Sequence, residues 1–325
     1  MFYKKKILIT GGTGSFGKAF VKHLLSNYKV SRLVVFSRDE LKQHDMKLKF
    51  PPEKFKQLRF FLGDVRDLNR LKRALENIDI IIHAAALKQV PTAEYDPFEY
   101  VNTNIIGAQN IIEASLENKK IEKVIALSTD KACSPINLYG ATKLCSDKLF
   151  IAANNLVGNK KIKFSVVRYG NVFGSRGSVA TVFKKNALQN KKLLITDKRM
   201  TRFSTTLIDG IKMVEDALKF MEGGEIFVQK NLSYRITDLA TTFSNKISFT
   251  KIRPGEKLHE EMISTSDSYD TYDLGKYYVI CSPTLTNLRK KYKKFKKFKE
   301  GNSYNSLNNK FLNKIQLRNL IKTLN

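Results

Sequence analysis

A glycine-rich turn near the start of the chain restricts the possible folds more than any other feature of the sequence. It follows the apolar run Lys6–Thr10 and leads directly into an amphipathic stretch at residues 15–26. A strand, a glycine-rich turn and a helix in this order are typical of a dinucleotide-binding domain, because the free N–H groups at the helix start face the pyrophosphate. The predicted cofactor contacts in this turn are Gly11, Thr13, Gly14, Ser15, Phe16 and Gly17.

Apolar β-rich runs alternate with amphipathic helical stretches through the first half of the chain. This alternation predicts an α/β fold in which a doubly wound, parallel Rossmann sheet is covered by helices on both faces. The predicted strands are residues 6–10, 32–36, 58–62, 78–83, 123–127 and 163–167. The predicted helices are residues 15–26, 38–49, 68–76, 94–117 and 138–155.

The pattern becomes looser after Arg168, where glycine-marked loops alternate with shorter helices. We therefore expect a cofactor-binding Rossmann domain at residues 1–168 and a smaller, mainly substrate-binding part at residues 169–325. Segments near 205–245, among them 226–228 and 237–246, are candidates to return to the first domain.

The formal net charge of +28 raises nucleic acid or a membrane surface as a partner. The basic residues are scattered along the whole chain, and only the run 289–299 is dense, so we expect solvated surface and no nucleic-acid partner. A polyanion site in that run stays open. A basic surface also suits an acidic nucleotide substrate.

Targeting signals and metal-binding patterns are missing from the sequence. No stretch approaches the roughly 20 apolar residues of a membrane span, and the N-terminus does not resemble a signal peptide. The three cysteines have no CxxC spacing and no nearby histidines, so we expect a reducing compartment and no metal site. These features predict a cytoplasmic protein with no membrane partner.

The end of the second predicted strand is where a Rossmann domain meets the adenosine ribose. The residues there are Ser37 and Arg38, followed by Asp39. A hydroxyl and a guanidinium suit a 2′-phosphate, so NADP is favoured over NAD. The alternative is that Arg38 merely begins a solvated helix with Asp39 as its partner.

Two further segments at strand ends are candidate cofactor contacts. Asp64 and Val65 follow the third strand and could contact adenine, although a plain turn would have a similar sequence. Ala84, Ala85 and Ala86 follow the fourth strand and could form a floor of small side chains beneath the cofactor, or simply allow tight packing.

Tyr139 and Lys143 are four residues apart on a predicted helix, so both side chains project from one face. A lysine cation can lower the pKa of a tyrosine and so let the phenol act as a base toward a substrate hydroxyl. The pair comes soon after a strand that ends at Ser128 and Thr129, where a doubly wound sheet places its ligand crevice.

Longer strings narrow the assignment. The glycine turn, the Tyr139-Lys143 pair and the Ser128-Thr129 step resemble an extended short-chain dehydrogenase/reductase. The whole chain is similar to the UDP-N-acetylglucosamine 4,6-dehydratase (5-inverting) family, including the Tyr304-Asn305-Ser306 segment. The strings that carry this resemblance are AALKQVP at 85–91, STDKA at 128–132, RYGNVFGSRGS at 168–178 and RPGEK at 253–257.

The adjacent Asp130 and Lys131 are the most telling part of the resemblance. The retaining dTDP-glucose type of 4,6-dehydratase has an Asp-Glu pair at this step, and the inverting family has Asp-Lys. An exposed salt-bridging turn is the other interpretation of the dipeptide. With Thr129 and the Tyr139-Lys143 pair, these residues form the predicted catalytic set.

The resemblance implies that NADP accepts a hydride from C4 and returns it to C6 within each turnover, so that the cofactor is not consumed. Tyr139 takes the C4 hydroxyl proton, Lys131 removes the C5 proton that the C4 ketone has made acidic, and Asp130 protonates the departing C6 hydroxyl. Return of the hydride to C6 and of a proton to the opposite face of C5 completes the inversion. This chemistry requires a lowered pKa for Lys131, which burial and the neighbouring NADP and Lys143 would supply, and a raised pKa for Asp130.

The family also implies a UDP-sugar substrate, a homo-oligomer and the first step toward pseudaminic acid or a related aminosugar. Lys88 could contact both cofactor and sugar, Asn171 the acetamido sugar or a phosphate oxygen, and Glu256 a ribose or Arg253. Arginines would pair with the diphosphate oxygens. The candidate substrate contacts are Lys88, Asn171, Val172, Arg176, Arg202, Arg253 and Glu256.

Two other functions remain possible at this point. A nucleotide-sugar 4-epimerase shares the fold and the tyrosine–lysine pair, but it needs no acid and base at C5 and C6, so Asp130 and Lys131 speak against it. A non-catalytic protein that binds NADP or a polyanion would suit the charge, but it would have no use for an intact catalytic set.

Overall fold

A large central sheet organises the chain, of which the computed structural model describes residues 1–175 and 177–324. Ten strands form this sheet. The first six are parallel in the order 3-2-1-4-5-6, which is the doubly wound order and confirms the predicted Rossmann fold. They are β1 (Lys6–Thr10), β2 (Arg32–Ser37), β3 (Leu58–Leu62), β4 (Ile80–His83), β5 (Lys123–Thr129) and β6 (Lys163–Tyr169).

The second half of the chain extends the sheet and builds three small sheets beside it. Four later strands continue from β6, the first of them parallel to it and the other three joined by antiparallel pairs. In this order from β6 they are β9 (Glu225–Gln229), β14 (Tyr277–Cys281), β13 (Thr271–Asp273) and β15 (Lys296–Lys297). The two-stranded sheets pair β7 (Leu193–Ile195) with β11 (Ile247–Phe249), β8 (Thr201–Phe203) with β10 (Ser233–Arg235), and β12 (Glu261–Ile263) with β16 (Tyr304–Asn305).

Helices connect the strands and cover both faces of the main sheet. In the first half they are α1 (Ser15–Asn27), α2 (Glu40–Lys49), α3 (Leu68–Ala74), α4 (Val90–Tyr95), α5 (Pro97–Tyr100), α6 (Gly107–Glu117) and α7 (Leu138–Ala152). In the second half they are α8 (Val179–Leu188), α9 (Leu207–Phe220), α10 (Ile236–Thr241), α11 (Thr286–Tyr292) and α12 (Lys314–Lys322). Among the described residues, no helix combines the length and the apolar character that a bilayer crossing needs.

The single helix predicted at 94–117 is wrong. The helical region begins earlier, at Val90, and is interrupted at Asp96, which has φ −128° and ψ 66°. Pro97 explains the interruption, because a proline disfavours helical geometry at the residue before it and offers no N–H. A π-helical turn, Val101–Ile106, then joins α5 to α6.

Each face of the main sheet has its own apolar core, because successive strand residues point to opposite faces. On one face, Ile7 and Ile9 of β1 pack in the same cluster as Val214 of α9. On the other face, Leu8 packs in a cluster with Phe150 of α7. The sheet is therefore buried on both sides, as the continuous apolar strands predict.

A third core stabilises the smaller C-terminal part, which confirms that the fold has one. Phe183, Leu193 and Leu239 are among its members and come from α8, β7 and α10. Of the two segments considered for return to the first domain, 226–228 lies in β9 of the main sheet, whereas 237–246 lies in the smaller part around α10.

Candidate active site

A cleft of about 920 Å³ opens at the carboxyl ends of the parallel strands, between the main sheet and the smaller part. This is where a doubly wound sheet places ligands. Every predicted site residue that the structure describes lines the cleft, Lys88 and Val172 included, except Asp130. Arg176 lies outside the described residues.

The glycine turn forms one end of the cleft. Gly11 has φ +63°, and a Cβ there would lie 2.8 Å from the backbone of Ala85. A Cβ on Gly17 would lie 2.5 Å from the backbone of Gly12, so glycine is needed where the first turn of α1 packs against the glycine turn. Helix α1 begins at Ser15 and points its free N–H groups toward this end. The turn therefore fits a dinucleotide pyrophosphate.

The corner that follows β2 combines hydroxyl and basic groups. The Ser37 hydroxyl lies 2.8 Å from that of Thr13, and the Arg38 guanidinium lies 3.5 Å from a carboxylate oxygen of Asp64. The Asp39 carboxylate caps α2, where it accepts a hydrogen bond from the backbone N–H of Lys42 at 2.9 Å and forms an ion pair with its ammonium group. Arg38 is therefore paired with Asp64 and precedes the helix that Asp39 caps.

A buried histidine supports the floor beside the turn. His83 ends β4, and its Nδ1 lies 2.9 Å from the hydroxyl oxygen of Thr10, which in turn accepts hydrogen bonds from the N–H groups of Ala84 and Ala85 at 3.2 Å. Burial, assisted by the charge of Lys143, lowers the pKa of His83 to about 3. His83 is thus neutral and contacts the Thr10 hydroxyl that holds Ala84 and Ala85.

The end of β5 delivers the Asp-Lys pair to the cleft. Thr129 is the last strand residue, and Asp130 begins a single 3₁₀ turn against the start of α7. This approach depends on Gly140, because a Cβ there would lie 2.3 Å from the carbonyl oxygen of Lys131. Asn137 caps α7 by accepting a hydrogen bond from the N–H of Gly140 at 2.7 Å.

Lys131 is surrounded by oxygen atoms. Its ammonium lies 3.1 Å from Asp130 Oδ1, 3.1 Å from Asn171 Oδ1 and 3.3 Å from Glu260 Oε1. Burial alone would lower the pKa of Lys131, but the two carboxylates outweigh burial and raise it. The predicted lowering is therefore wrong for the protein alone, because the sequence did not reveal that Glu260 would lie beside this amine.

Asp130 is fully buried and does not line the cleft. Its Oδ1 accepts a hydrogen bond from the Thr129 hydroxyl at 3.0 Å, and its Oδ2 has no hydrogen-bond partner among the described residues. Burial raises the pKa of Asp130, against the opposing charge of Lys131. This direction agrees with the prediction for a general acid.

Tyr139 and Lys143 line the cleft from α7, both buried. Burial raises the pKa of Tyr139 to about 12, while the charge of Lys131 and a hydrogen bond with Thr129 act in the opposite direction. The expected lowering of this pKa by Lys143 is therefore wrong in the protein alone, and the cation that acts on the phenol is Lys131. Burial lowers the pKa of Lys143.

The far end of the cleft contains a second group of charges. Arg202 is buried, donates from Nη1 to the carbonyl oxygens of Thr201 and Leu258 at 2.7 and 3.0 Å, and lies 3.7 Å from Glu256. The Arg253 side chain is 66% exposed and pairs with Glu256 at 3.0 Å. Arg253 is thus the more accessible of the two guanidinium groups.

Three residues that support the site were missed by the sequence interpretation, namely His83, Gly140 and Glu260. Gly140 directly follows the predicted tyrosine Tyr139. A glycine at that position could have indicated that α7 lies close to the turn at the end of β5. No local pattern marks Glu260, because its proximity to Lys131 depends on a contact across 129 positions of the chain.

Comparison with known proteins places this geometry in a family. A family model described as "Polysaccharide biosynthesis protein" matches residues 7–282. UDP-N-acetylglucosamine 4,6-dehydratase (inverting) of Campylobacter jejuni is 56% identical over 288 residues, covering 88% of this chain and 85% of the relative. UDP-glucose 4-epimerase of Rickettsia bellii is 45% identical over 289 residues, covering 86% of this chain and 84% of that one.

Solved structures give the same result. The X-ray structure of Pen from Bacillus thuringiensis has a TM-score of 0.90 and 37% identity, covering all of this chain (100%) and 98% of its own. UDP-glucuronic acid 4-epimerase from Bacillus cereus, in complex with UDP-glucuronic acid and NAD, has a TM-score of 0.66 and 26% identity, covering 78% of this chain and 88% of its own. The chain therefore belongs to the polysaccharide biosynthesis protein family of extended short-chain dehydrogenases/reductases, and it is a relative of the inverting UDP-N-acetylglucosamine 4,6-dehydratases.

Proposed function

We propose that this protein is an NADP-dependent lyase that removes water from UDP-N-acetylglucosamine across C5 and C6 and inverts C5, giving UDP-2-acetamido-2,6-dideoxy-β-L-arabino-hex-4-ulose. The observation that carries the proposal is the Asp130-Lys131 pair at the end of β5, beside Tyr139 and with Lys131 facing the cleft. The relative with 56% identity has this activity in its name.

The cofactor would lie along the glycine turn, with its adenosine ribose toward Arg38 and Lys42, which both line the cleft. Two basic side chains at this corner suit the 2′-phosphate of NADP, although the Bacillus cereus neighbour contains NAD. When bound, the nicotinamide ring supplies a hydride acceptor at C4 and later a hydride donor at C6.

The preference for NADP has a direct test. Arg38→Ala should weaken the binding of NADP by about tenfold or more and leave the binding of NAD nearly unchanged, because only NADP has a phosphate for this guanidinium. Titration calorimetry with both nucleotides measures the ratio, and Arg59→Ala, outside the cleft, is the matched control. An equal loss for both nucleotides would contradict the assignment.

The chain's own groups move the protons. Tyr139 takes the proton of the C4 hydroxyl, and Lys143 holds the nicotinamide ribose beside it. Lys131 removes the proton from C5 once C4 is a ketone, because a carbon next to a carbonyl is far more acidic than one in an unoxidised sugar. Asp130 supplies the proton for the departing C6 hydroxyl.

The route of that last proton follows from burial. Asp130 does not line the cleft, whereas Thr129, whose hydroxyl lies 3.0 Å from the Asp130 carboxyl, does. We therefore assign the Thr129 hydroxyl as a relay between Asp130 and the substrate. The raised pKa of Asp130 supports a carboxyl that carries a proton before the reaction.

The substrate would occupy the rest of the cleft. Arg253 is the stronger candidate for the diphosphate because its guanidinium is exposed, whereas Arg202 already donates to two carbonyl oxygens. Asn171, whose Oδ1 lies 3.1 Å from the Lys131 ammonium, and Lys88 and Val172, which line the same cleft, would contact the sugar. Arg176 is a further candidate from the sequence alone.

The wider setting of the enzyme is part of the proposal. A reducing cytoplasm suits the cysteines, and a homo-oligomer is what the resemblance implies. The product would be the first intermediate in the synthesis of pseudaminic acid or of a related aminosugar.

A nucleotide-sugar 4-epimerase is the second candidate, because a relative with 45% identity carries that name. Mass spectrometry of the product from UDP-N-acetylglucosamine distinguishes the two. A dehydratase gives a nucleotide sugar lighter by one water molecule, whereas an epimerase gives an isomer of unchanged mass. Lys131→Ala and Tyr139→Phe should abolish or strongly slow water loss, whereas the exposed-site control Lys293→Ala should not. An isomer of unchanged mass as the only product would contradict the proposal.

A further inference from the structure

Glu260 lies at the centre of the cleft's charged groups and has no part in the steps above. It is 2% exposed, and its Oε1 lies 3.3 Å from the Lys131 ammonium and 3.5 Å from Arg202 Nε. Its second oxygen, Oε2, is buried and has no hydrogen-bond partner among the described residues. A buried carboxylate is costly unless it is paired, so these two cations, with a smaller effect from Lys257, favour its ionised form.

The backbone around Glu260 is fixed by the C-terminal segment of the chain. The Glu260 N–H donates to the Ser306 hydroxyl oxygen at 2.9 Å, and the Ser306 N–H donates back to the Glu260 carbonyl at 2.8 Å. The same hydroxyl lies 2.7 Å from that of Thr201, the neighbour of Arg202. One serine therefore ties together the two segments that carry Glu260 and Arg202, which gives the Tyr304-Asn305-Ser306 segment a role at the site.

We propose that Glu260 is a positioning residue that holds Lys131 in place and sets the pH at which its amine becomes a base. Ser306 fixes the Glu260 backbone, Arg202 lies against the carboxylate, and the carboxylate holds the Lys131 amine in place. The catalytic consequence rests on the dehydration proposed above, whereas the effect on the amine itself does not.

Several titratable or charged groups of the described residues act on the Lys131 amine. Asp130 and Glu260 contact it, Arg202 opposes its charge, and Tyr139 and Tyr234 lie close enough to interact with it electrostatically. Burial raises the pKa of Asp130, whereas Lys131 and Arg202 hold the pKa of Glu260 below its usual range in spite of burial. Burial therefore shifts Asp130 toward its protonated form, whereas Lys131 and Arg202 shift Glu260 toward its ionised form.

The C5 step needs the neutral form of Lys131, so the ammonium must first release its proton, and Glu260 sets the pH at which it does so. The neutral amine of Lys131 takes the proton from C5, the electron pair of the broken C–H bond passes into the C4 ketone to give an enolate, and the amine becomes an ammonium. The Glu260 carboxylate stabilises that ammonium as it forms. A base that is oriented and charge-balanced by a third group is the general pattern of catalytic triads.

Amine labelling tests the effect on Lys131 without any substrate. Native protein, Glu260→Gln and Glu261→Gln are treated with acetic anhydride at a series of pH values, and acetylation of Lys131 is quantified by peptide mass spectrometry. Removing a carboxylate from beside an ammonium lowers its pKa, so more neutral amine is present at a given pH. We expect the labelling midpoint of Glu260→Gln to lie at least about one pH unit below that of native protein, since each unit reflects about 1.4 kcal/mol of lost charge interaction.

Glu261 is the matched control, because its carboxylate accepts a hydrogen bond from the Ser134 hydroxyl at 2.7 Å and is not among the groups that act on Lys131. Its variant should label as the native protein does. An unchanged or higher midpoint in Glu260→Gln would overturn the proposal. Should Glu260→Gln fail to fold by circular dichroism, Ser306→Ala replaces it. That variant keeps the carboxylate but releases its backbone, and it should shift the midpoint in the same direction by a smaller amount.

The kinetic arm follows only if native protein forms the dehydrated product. In Glu260→Gln, kcat should fall by roughly 10- to 1000-fold, with KM for UDP-N-acetylglucosamine little changed. Loss of the general base itself would slow a reaction by about 10²–10⁴-fold, and a residue that only positions the base should cost no more than that. The acid limb of its pH–rate profile should move to lower pH, and Glu260→Asp should restore part of the rate. A profile that keeps the native acid limb would refute the link to catalysis. Absence of product from native protein would refute the proposed function and leave the labelling result standing.

Discussion

At the scale of single residues, the proposed dehydration depends on how a buried acid reaches the substrate. Thr129→Val removes the hydroxyl that connects Asp130 to the cleft, and we expect kcat to fall by about 10²-fold. Thr129→Ser keeps the hydroxyl and should keep most of the rate. The measurement is the initial rate of water loss from UDP-N-acetylglucosamine. A valine variant as fast as the serine variant would show that the proton takes another route.

His83 predicts a pH dependence of stability. Its pKa is about 3 in the folded protein against about 6.5 in the unfolded chain, so the unfolded chain binds a proton that the folded one does not between these values. The neutral His83 makes its full contribution to the free energy of unfolding above about pH 6.5, and this contribution is lost as the pH falls toward about 3. Between pH 7 and pH 5 the loss is about 2 kcal/mol.

His83→Gln removes that dependence. The free-energy difference of unfolding between native protein and the variant should therefore narrow by about 2 kcal/mol when urea unfolding is repeated at pH 5. His44→Gln, at an exposed position of α2, is the control and should leave the pH dependence as it is in the native protein. A native–variant gap that is the same at both pH values would mean that His83 does not stay neutral.

At this scale the sequence predicted the residues of short motifs but not their surroundings. Asp130, Lys131 and Tyr139 were found because the strings that contain them are distinctive. The raised pKa of Lys131 was not, since it depends on Glu260, which arrives from a distant part of the chain. Electrostatic environments are made by the tertiary fold, and a linear pattern does not report them.

At the scale of elements, the glycine turn carries the cofactor assignment. Gly11→Ala would place a methyl group 2.8 Å from the backbone of Ala85 in addition to straining a backbone at φ +63°. Gly158 has a similar φ of +54°, and a methyl group added there would have nothing within 4 Å, so Gly158→Ala isolates the strain, worth about 1 kcal/mol. We expect Gly11→Ala to lower the free energy of unfolding by more than the control does, and to weaken NADP binding by calorimetry. Native affinity in Gly11→Ala would contradict the assignment.

Elements with a clear period were predictable, and interrupted ones were not. The six parallel strands and α7 lie within a few residues of their predicted positions, because long apolar runs between helices have few other solutions. The helix predicted at 94–117 is interrupted at Asp96, because Pro97 disfavours helical geometry at the residue before it. The apolar periodicity continues across this proline and therefore did not indicate the break.

At the scale of the whole molecule, the strands and helices of the Rossmann half could be predicted from the sequence. For the rest of the chain, only the presence of a smaller part could be predicted. Strands β13 to β16 have at most five residues, and β13, β15 and β16 have two or three, too few to show a period. Their partners come from distant positions, as Tyr304–Asn305 shows by pairing with Glu261–Ile263. The smaller part and the contribution of Arg202 to the cleft could be predicted, but the contribution of Glu260 could not.

The net charge of +28 belongs to this scale as well. The cofactor and the proposed substrate both carry phosphates, so a basic protein attracts both at long range. The charge itself does not identify the reaction, which depends on the arrangement of Asp130, Lys131 and Tyr139 in one cleft.

The sharpest test of the proposed reaction is proton NMR of the product formed from UDP-N-acetylglucosamine in D2O. The proposed mechanism predicts a 4-keto sugar with a methyl group at C6, deuterium at C5 and the L-arabino configuration, because Lys131 removes the C5 proton and a deuteron derived from the solvent is added from the opposite face. A 4-epimer that retains the C5 proton, or a dehydrated product with the original C5 configuration, would contradict it.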